Sequence, residues 1–173
     1  VFSDSIMLNV SRGCTRGCRF CMSSYLYRPL RETTIKELVD IALKTRENTN
    51  LNKITLIGAA VGDYYDLEGL TTALESEGFQ IATPSLRIDS LSRETLETLK
   101  KSGLKSITIA PESISTLRER INKSISDEKI FSVIKNAVDL DFNIKLYFLI
   151  GIPYESKEDI EELANYIEKI ANM

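Results

Sequence analysis

All three cysteines of this 173-residue chain lie within one ten-residue stretch, RGCTRGCRFC, and the chain contains no histidine. Cys14, Cys18 and Cys21 are separated by three and two residues, so one loop can wrap three thiolates around a single metal centre. Gly13 and Gly17 give the backbone the freedom that such a curl needs. Structural zinc usually takes four cysteine or histidine ligands, and a fourth is missing here. Three thiolates therefore favour an iron–sulfur cluster that leaves one iron open to another ligand.

The charge around the cysteines indicates an anionic occupant. Five arginines and no acidic residue lie between positions 11 and 31, although the whole chain has a net charge of −3. Positive charge close to a thiol favours the thiolate, which is the form that binds metal. The alternative interpretation is a solvated basic loop that carries three incidental thiols.

The composition argues against several classes of protein. A negative net charge is unusual for a dedicated nucleic-acid surface. No apolar run approaches the roughly 20 residues of a membrane helix, so no membrane partner is expected. An odd number of closely spaced cysteines fits a disulfide framework poorly, which favours a reducing, cytoplasmic setting.

Short apolar runs alternate with amphipathic segments, which predicts an α/β fold of about five βα units. The runs are almost continuously apolar, as is typical of strands buried on both faces. Such units form either an open doubly wound sheet or part of a βα barrel, here as one domain over residues 1–173. The predicted strands are Ile6–Val10, Lys53–Ile57, Gln80–Thr83, Ser106–Ala110 and Ile144–Leu149. Helix starts are predicted at Thr34 (with Glu37 in a capping-box pattern), Ser92, Ser126 and Ser156, and a further helix over Leu67–Glu77 ends at Gly78.

Both architectures bind ligands at the carboxyl ends of parallel strands. Glycine, proline and isolated charges concentrate in the segments that follow these ends. The cysteine loop follows the first strand, and the later segments are 58–63 (GAAVGD), 84–89 (PSLRID), 111–113 (PES) and 151–155 (GIPYE). We therefore expect five loops on one rim to form one site.

The stretch CTRGCRFC has the CxxxCxxC form of the radical S-adenosylmethionine (radical SAM) superfamily, which the chain resembles over nearly its whole length. The similarity continues through PSLRIDSL, through IAPES…LRERINK (109–123) and through YFLIGIPYESKEDI (147–160). It is strongest to members that often carry a cobalamin-binding domain before the core. The resemblance implies a partial, TIM-like (βα) barrel, as in a truncated radical SAM (βα)6 core. It also implies that Cys14, Cys18 and Cys21 hold a 4Fe–4S cluster whose fourth iron is chelated by SAM.

The resemblance further assigns SAM contacts to the loops on the rim. Phe20 would border the adenine. Gly58, Ala59 and Ala60 stand where the family usually has Gly-Gly-Glu, so the glutamate is missing and Asp63 is the candidate to substitute in part. The remaining candidates are Arg87 for the SAM carboxylate, Glu112 and Ser113 for the ribose or sulfonium, and Gly151 and Ile152 for the adenine. Three of these have structural alternatives: Asp63 as a turn residue, Arg87 as a rim salt bridge with Asp89, and Glu112 as a rim ion pair.

By resemblance, this is the core of an enzyme that reductively cleaves SAM to a 5′-deoxyadenosyl radical and modifies a substrate that the sequence does not identify. An electron donor of the flavodoxin or ferredoxin type would be its partner. A sixth βα unit is missing, which predicts a fragment of a longer protein with additional domains, including in some members a cobalamin-binding one. The main alternative is an iron–sulfur or zinc-binding module without SAM catalysis. A TIM-like hydrolase or isomerase is disfavoured because the chain lacks histidine for acid–base work.

Overall fold

The computed structural model describes residues 4–173 and contains seven strands and seven α-helices in that range. The strands are β1 (Ile6–Asn9), β2 (Ser11–Arg12), β3 (Arg31–Glu32), β4 (Lys53–Ile57), β5 (Gln80–Ala82), β6 (Ser106–Glu112) and β7 (Asn143–Phe148). The helices are α1 (Ser23–Leu26), α2 (Ile35–Thr49), α3 (Leu67–Ser76), α4 (Arg93–Lys101), α5 (Ser115–Arg120), α6 (Asp127–Asp139) and α7 (Lys157–Ala171). Short 3-10 turns cover Val61–Asp63 and Ile88–Ser90.

The five long strands are parallel and form a partial barrel. β1, β4 and β5 make one sheet in that order, and β6 pairs with β7 in a second. A single parallel bridge between Leu86 and Ile109 joins the two sheets, and the Leu86 N–H donates to the Thr108 carbonyl at 2.8 Å. The predicted α/β class, the parallel pairing and the partial barrel are therefore confirmed, and the open doubly wound alternative is set aside.

The prediction that all five strands are buried on both faces is wrong at the two ends of the barrel wall. β1 alternates buried and exposed residues, and Met7 is 55% exposed. β7 alternates half-buried and exposed residues, and Tyr147 is 56% exposed. These strands each lack a neighbour on one side among the described residues, so part of their apolar surface remains uncovered.

Local capping signals fix the main helices. The Thr34 hydroxyl accepts a hydrogen bond from the Glu37 N–H, and the Glu37 carboxylate accepts one from the Thr34 N–H, which completes the predicted capping box. Ser92, Ser126 and Ser156 cap α4, α6 and α7 as predicted. α3 begins at Leu67 but ends at Ser76, one residue before the predicted end.

Four small elements were not predicted: β2, β3, α1 and α5. β2 and β3 form an antiparallel ribbon of two residue pairs, Ser11 with Glu32 and Arg12 with Arg31. Segments this short carry no readable periodicity. The ribbon closes the base of the loop that holds the cysteines, whereas α1 lies inside that loop and α5 follows β6.

One continuous apolar core fills the space between the strands and the helices, with Leu8, Ile54, Leu56, Leu70 and Ile109 among its fully buried members. No helix between residues 4 and 173 combines the length and the apolarity needed to cross a bilayer.

Candidate iron–sulfur and cofactor site

The cysteine loop depends on a glycine that a larger residue cannot replace without strain. Gly13 has φ of +95°, a region that favours glycine. A Cβ atom added there would collide with the carbonyl oxygens of Tyr27 and Pro29, which are backbone atoms of the same loop. The loop therefore folds back on Gly13 at close range.

Gly13→Ala is expected to destabilise the fold by more than about 2 kcal/mol, because the left-handed conformation alone costs a non-glycine residue about 1–2 kcal/mol. Gly103→Ala is the matched control: its φ is +92°, but nothing lies within 4 Å of the added Cβ. Urea unfolding gives the free energy of unfolding of both variants. The loss in Gly103→Ala reports the conformational strain alone, and any additional loss in Gly13→Ala reports the collision. Equal losses of stability would show that the close approach at Gly13 is not a constraint.

All three thiols line one cavity of about 230 Å³. Cys14 and Cys18 are buried, Cys21 is half-buried, and none is in a disulfide. Within residues 4–173 no three cysteine or acidic side chains are already arranged around a single metal position. The donor set nevertheless fits an iron–sulfur cluster, since soft thiolates share one cavity whose walls carry cationic side chains.

The cationic wall comes from three separate parts of the chain. The Arg87 Nη1 atom lies 3.8 Å from the Cys18 sulfur, and the Arg16 backbone N–H points to the Cys14 sulfur at 3.5 Å. Lys123 also lines the cavity, where its Nζ donates to Glu112 at 2.6 Å. Positive charge at this distance stabilises thiolates and any anionic group bound between them.

An ion network joins the cysteine loop to the ends of β4 and β5. Arg16 donates two hydrogen bonds to the Asp63 carboxylate, at 2.8 and 2.6 Å, and lies 3.2 Å from Asp89. Arg87 makes a second two-pronged contact, with Asp89, at 2.9 Å for both bonds. The predicted alternative for Arg87, a rim salt bridge with Asp89, is thus present, yet Nη1 of the same guanidinium still faces Cys18.

Burial and hydrogen bonding shift the pKa values of Arg87 and Asp89 in opposite directions. Burial raises the pKa of Asp89, but the hydrogen bonds and charge of Arg87, with the charge of Arg16, outweigh it and hold the pKa below its usual range. Burial lowers the pKa of Arg87, and the contacts with Asp89 outweigh it, so that pKa is raised. Both groups are therefore charged at neutral pH.

The Arg87–Asp89 pair is expected to stabilise the fold at neutral pH and to stop doing so in acid. Because the pKa of Asp89 is lowered by folding, its contribution is complete above the unfolded value of about 3.9 and is lost as the pH falls through the folded pKa. Asp89→Asn should lower the free energy of unfolding at pH 7 by about 1–3 kcal/mol, as for a lost hydrogen bond to a charged group. Unfolding curves between neutral pH and about pH 3 should show the difference from wild type shrinking. A difference that stays constant with pH would contradict the role of the carboxylate.

Glu112 sits at the end of β6 with φ of +70°, a conformation that is uncommon for a non-glycine residue. It forms a buried ion pair with Lys123, so its structural alternative, a rim ion pair, is also present. Both residues line the cavity that the three thiols share.

A second cavity, of about 390 Å³, adjoins the first and is mostly apolar. Phe20 lines both cavities. Ile152 and Pro153 from the loop after β7 also line it, together with Ile121 and Tyr154. The structure therefore brings the Phe20 and Ile152 candidates to one apolar pocket beside the cysteines.

The structure brings only part of the predicted set to the cysteine cavity. Ala59, Ala60, Arg87, Glu112 and Phe20 line it. Four other candidates do not line either of these two cavities: Gly58, Asp63, Ser113 and Gly151. Their observed contacts explain this. Gly58 packs against Ser11, Asp63 is engaged by Arg16, the Ser113 side chain is fully buried, and the Gly151 N–H donates to the Glu155 carboxylate at 2.6 Å.

The segment after α5 contributes contacts that were not predicted from the sequence. The Asn122 side-chain amide donates to the Gly17 carbonyl at 2.9 Å and to the Arg16 carbonyl at 3.3 Å. The Arg19 N–H donates to the Ile121 carbonyl at 2.9 Å. More than 100 residues of sequence separate these partners, so no local pattern could have paired them. Through these hydrogen bonds the segment holds the cysteine loop in position, and its Lys123 lines the cavity.

The sequence model of the radical SAM superfamily matches residues 8–167, which is most of the chain. The chain belongs to the radical SAM superfamily. A match of this extent includes the cysteine motif, the end of β1 and all of β4, β5, β6 and β7. The resemblance inferred from the CxxxCxxC motif is therefore confirmed.

Curated relatives agree with the radical SAM assignment. An uncharacterized protein of Methanocaldococcus jannaschii is 39% identical over 98% of this chain and 38% of its own length. The cytidylyl-2-hydroxyethylphosphonate methyltransferase of Streptomyces wedmorensis is 28% identical, over 94% of this chain and 32% of the relative. The GTP 3′,8-cyclase of Aquifex aeolicus is 26% identical, over 95% and 53%. The chain thus spans about a third to a half of the length of these relatives.

Solved structures share the radical SAM fold. The methyltransferase TsrM from Kitasatospora setae, solved with cobalamin and a 4Fe–4S cluster bound, superposes with a TM-score of 0.81 at 10% identity, over 96% of this chain and 35% of that one. Coproporphyrinogen III oxidase from Escherichia coli gives a TM-score of 0.67 at 14% identity, over 96% and 41%. At such identities the likeness establishes the fold alone.

Proposed function

We propose that this chain is the catalytic core of a radical SAM enzyme. Cys14, Cys18 and Cys21 would hold a 4Fe–4S cluster, with SAM beside it. When bound, these two groups supply the chemistry of the family, reductive cleavage of SAM to a 5′-deoxyadenosyl radical that modifies a substrate. The observation that carries the proposal is the sharing of one cavity by all three thiols, the loops after β4 and β5 and the end of β6.

The neighbouring apolar pocket is the proposed place for the adenine of SAM. Phe20 lines both cavities, so a ligand that extends from the thiols past Phe20 would reach Ile152 and Pro153. Apolar walls with few polar groups are typical of pockets for a planar heterocycle. Gly151 would act only through the backbone turn that places Ile152.

The proposed contacts of the SAM amino-acid end are cationic and backbone groups. Arg87 Nη1 is the guanidinium nitrogen that Asp89 does not engage, so it is the donor we assign to the SAM carboxylate. Ala59 and Ala60 have small side chains in the same wall, which allows a ligand to approach the backbone closely. Asp63 would act through Arg16, which it holds against the cavity.

Glu112 is the proposed partner of the ribose, because its carboxylate lines the cavity and is held in place by Lys123. The Ser113 hydroxyl is buried without a hydrogen-bond partner among the described residues. We therefore assign Ser113 a supporting position behind Glu112 in this proposal.

The rest of the enzyme completes the proposal. We propose a cytoplasmic protein whose additional domains supply the substrate site, with an electron donor of the flavodoxin or ferredoxin type. TsrM was solved with cobalamin bound, as was the cobalamin-dependent enzyme OxsB, which superposes with a TM-score of 0.70 at 18% identity. By analogy, a cobalamin-binding domain outside this chain is part of the proposal.

The decisive experiment is anaerobic reconstitution of the intact protein with iron and sulfide, followed by reduction with dithionite. The proposal expects a SAM-dependent change in the EPR spectrum and the formation of 5′-deoxyadenosine. A cluster that forms but responds to SAM by neither measure would overturn the enzyme assignment and favour an iron–sulfur module. The replacement of the usual motif glutamate by Ala60 makes this outcome a real competitor.

A further inference from the structure

An exposed apolar surface lies directly beside the cysteines. We call it the α1 patch and define it by Phe20, Met22, Tyr25, Leu26 and Tyr27, which are 48–70% exposed. Single exposed apolar residues are normal, but a contiguous group of large ones marks an interaction surface. None of the roles proposed above requires Met22 or Leu26 to be apolar.

All residues of the patch except Tyr27 line a shallow groove of about 250 Å³, which Cys21 also lines. Cys21 also lines the cysteine cavity and is the least buried of the three thiols. A molecule seated in this groove would therefore contact Phe20 and Cys21, which also line the cysteine cavity. Phe20 also lines the pocket that contains Ile152.

The charge of the loop that carries the groove selects the sign of the partner. Of the five arginines between positions 11 and 31, Arg16 forms ion pairs, with Asp63 and Asp89. The other four are exposed and have no carboxylate within salt-bridge distance among residues 4–173. Arg19, which lines the groove, and Arg28 donate only to backbone carbonyls, so no carboxylate offsets either charge. A basic surface on a chain of net charge −3 attracts an acidic protein and directs its approach.

We propose that the α1 patch is the docking surface for an acidic, flavin-bearing electron carrier. This inference rests on the proposed function, because it is the redox site at Cys21 that gives such a carrier a reason to dock here. The apolar residues would be buried at the centre of the contact, and the arginines would pair with carboxylates at its rim. That division is typical of transient protein interfaces.

Leu26 provides a charge-matched test, since Leu26→Glu and Leu26→Lys remove the same apolar side chain and add opposite charges. The experiment measures the affinity of a purified acidic flavodoxin for the intact protein by calorimetry. At low ionic strength we expect Leu26→Glu to bind about tenfold or more weakly than Leu26→Lys, and we expect high salt to shrink this ratio. Val138→Glu, on the exposed side of α6, should bind like wild type. A basic redox protein, cytochrome c, should not bind.

Equal affinities of the two Leu26 variants, equal binding of cytochrome c, or no flavodoxin binding by the wild type would overturn the proposal. A second copy of the chain or another domain would then be the occupant of the patch. The binding measurement does not require a cluster. If docking fails while dithionite-reduced protein still yields 5′-deoxyadenosine, only this inference falls. If docking responds to charge as expected but reconstitution gives no SAM-dependent signal, only the proposed function falls.

Discussion

Cys21→Ser is expected to reduce cluster incorporation by more than about tenfold. Mutating a residue that only hydrogen-bonds to a metal ligand already costs about 10–100-fold in metal affinity, and losing a ligand itself should cost at least as much. Serine has almost the same size as cysteine, but its hydroxyl is a poor ligand for iron. Cys21 is half-buried, so the substitution removes a ligand with little effect on packing. The measurement is the iron and sulfide content, and the visible absorbance, after anaerobic reconstitution.

Met22→Ser is the matched control, because Met22 is the next residue, is 70% exposed and is not a proposed ligand. It should reconstitute like wild type. Thermal unfolding of the metal-free variants should show that both remain folded. Wild-type levels of iron in Cys21→Ser would remove Cys21 from the ligand set. That result would also favour the alternative interpretation of the loop as a basic segment with incidental thiols.

Arg118→Met is expected to lower the free energy of unfolding by about 2–5 kcal/mol, because each buried carbonyl that loses its donor costs about 1–3 kcal/mol. Arg118 is fully buried, and its guanidinium donates to the Ser113 carbonyl, to the Ile125 carbonyl at 3.0 Å and to the Asp127 carboxylate. Methionine fills a similar volume but leaves all three acceptors without this donor. Urea unfolding measured by circular dichroism gives the difference in stability.

Arg118 also connects two segments next to the site, so hydrogen exchange provides a second measurement on the Arg118→Met variant. It connects the end of β6 to the segment after α5, and the Lys123 N–H donates to its carbonyl at 2.8 Å. Loosening of that segment should raise hydrogen exchange in the cysteine loop as well. Arg120→Met, on the same helix but exposed, is the control for the loss of charge. If both variants lost the same small amount of stability, the buried network would not be what holds this segment.

Sequence reasoning succeeded where a signal is local. The capping box at Thr34 and the serine caps of α4, α6 and α7 involve atoms three residues apart, so the identity of those residues fixes the geometry. The same is true of Arg87 and Asp89, which are two residues apart and do face the same way. The cysteine motif belongs to this class, because three thiols in eight residues of sequence are always near one another.

Sequence reasoning did not reveal contacts that depend on how distant segments pack. Asp63 is a candidate SAM contact, and its sequence position gave no sign that Arg16, 47 residues away, donates to both of its carboxylate oxygens. Asn122 and Lys123 were overlooked because an asparagine or a lysine in a polar loop carries no signal of its own. The exposed faces of β1 and β7 follow from their positions at the ends of the barrel wall, which the apolarity of a strand does not reveal.

The sequence by itself determined the family, the parallel α/β plan, the helix caps and the three candidate cluster ligands, since each depends on residue types at short, fixed spacings. The tertiary structure alone decided which loops reach the thiols. It placed Arg87, Glu112 and Lys123 in the wall of one cavity and turned Ser113 away from it. The reason is physical: each of these positions is set by the burial and pairing of charges that lie far apart in the chain, and no local pattern encodes that competition.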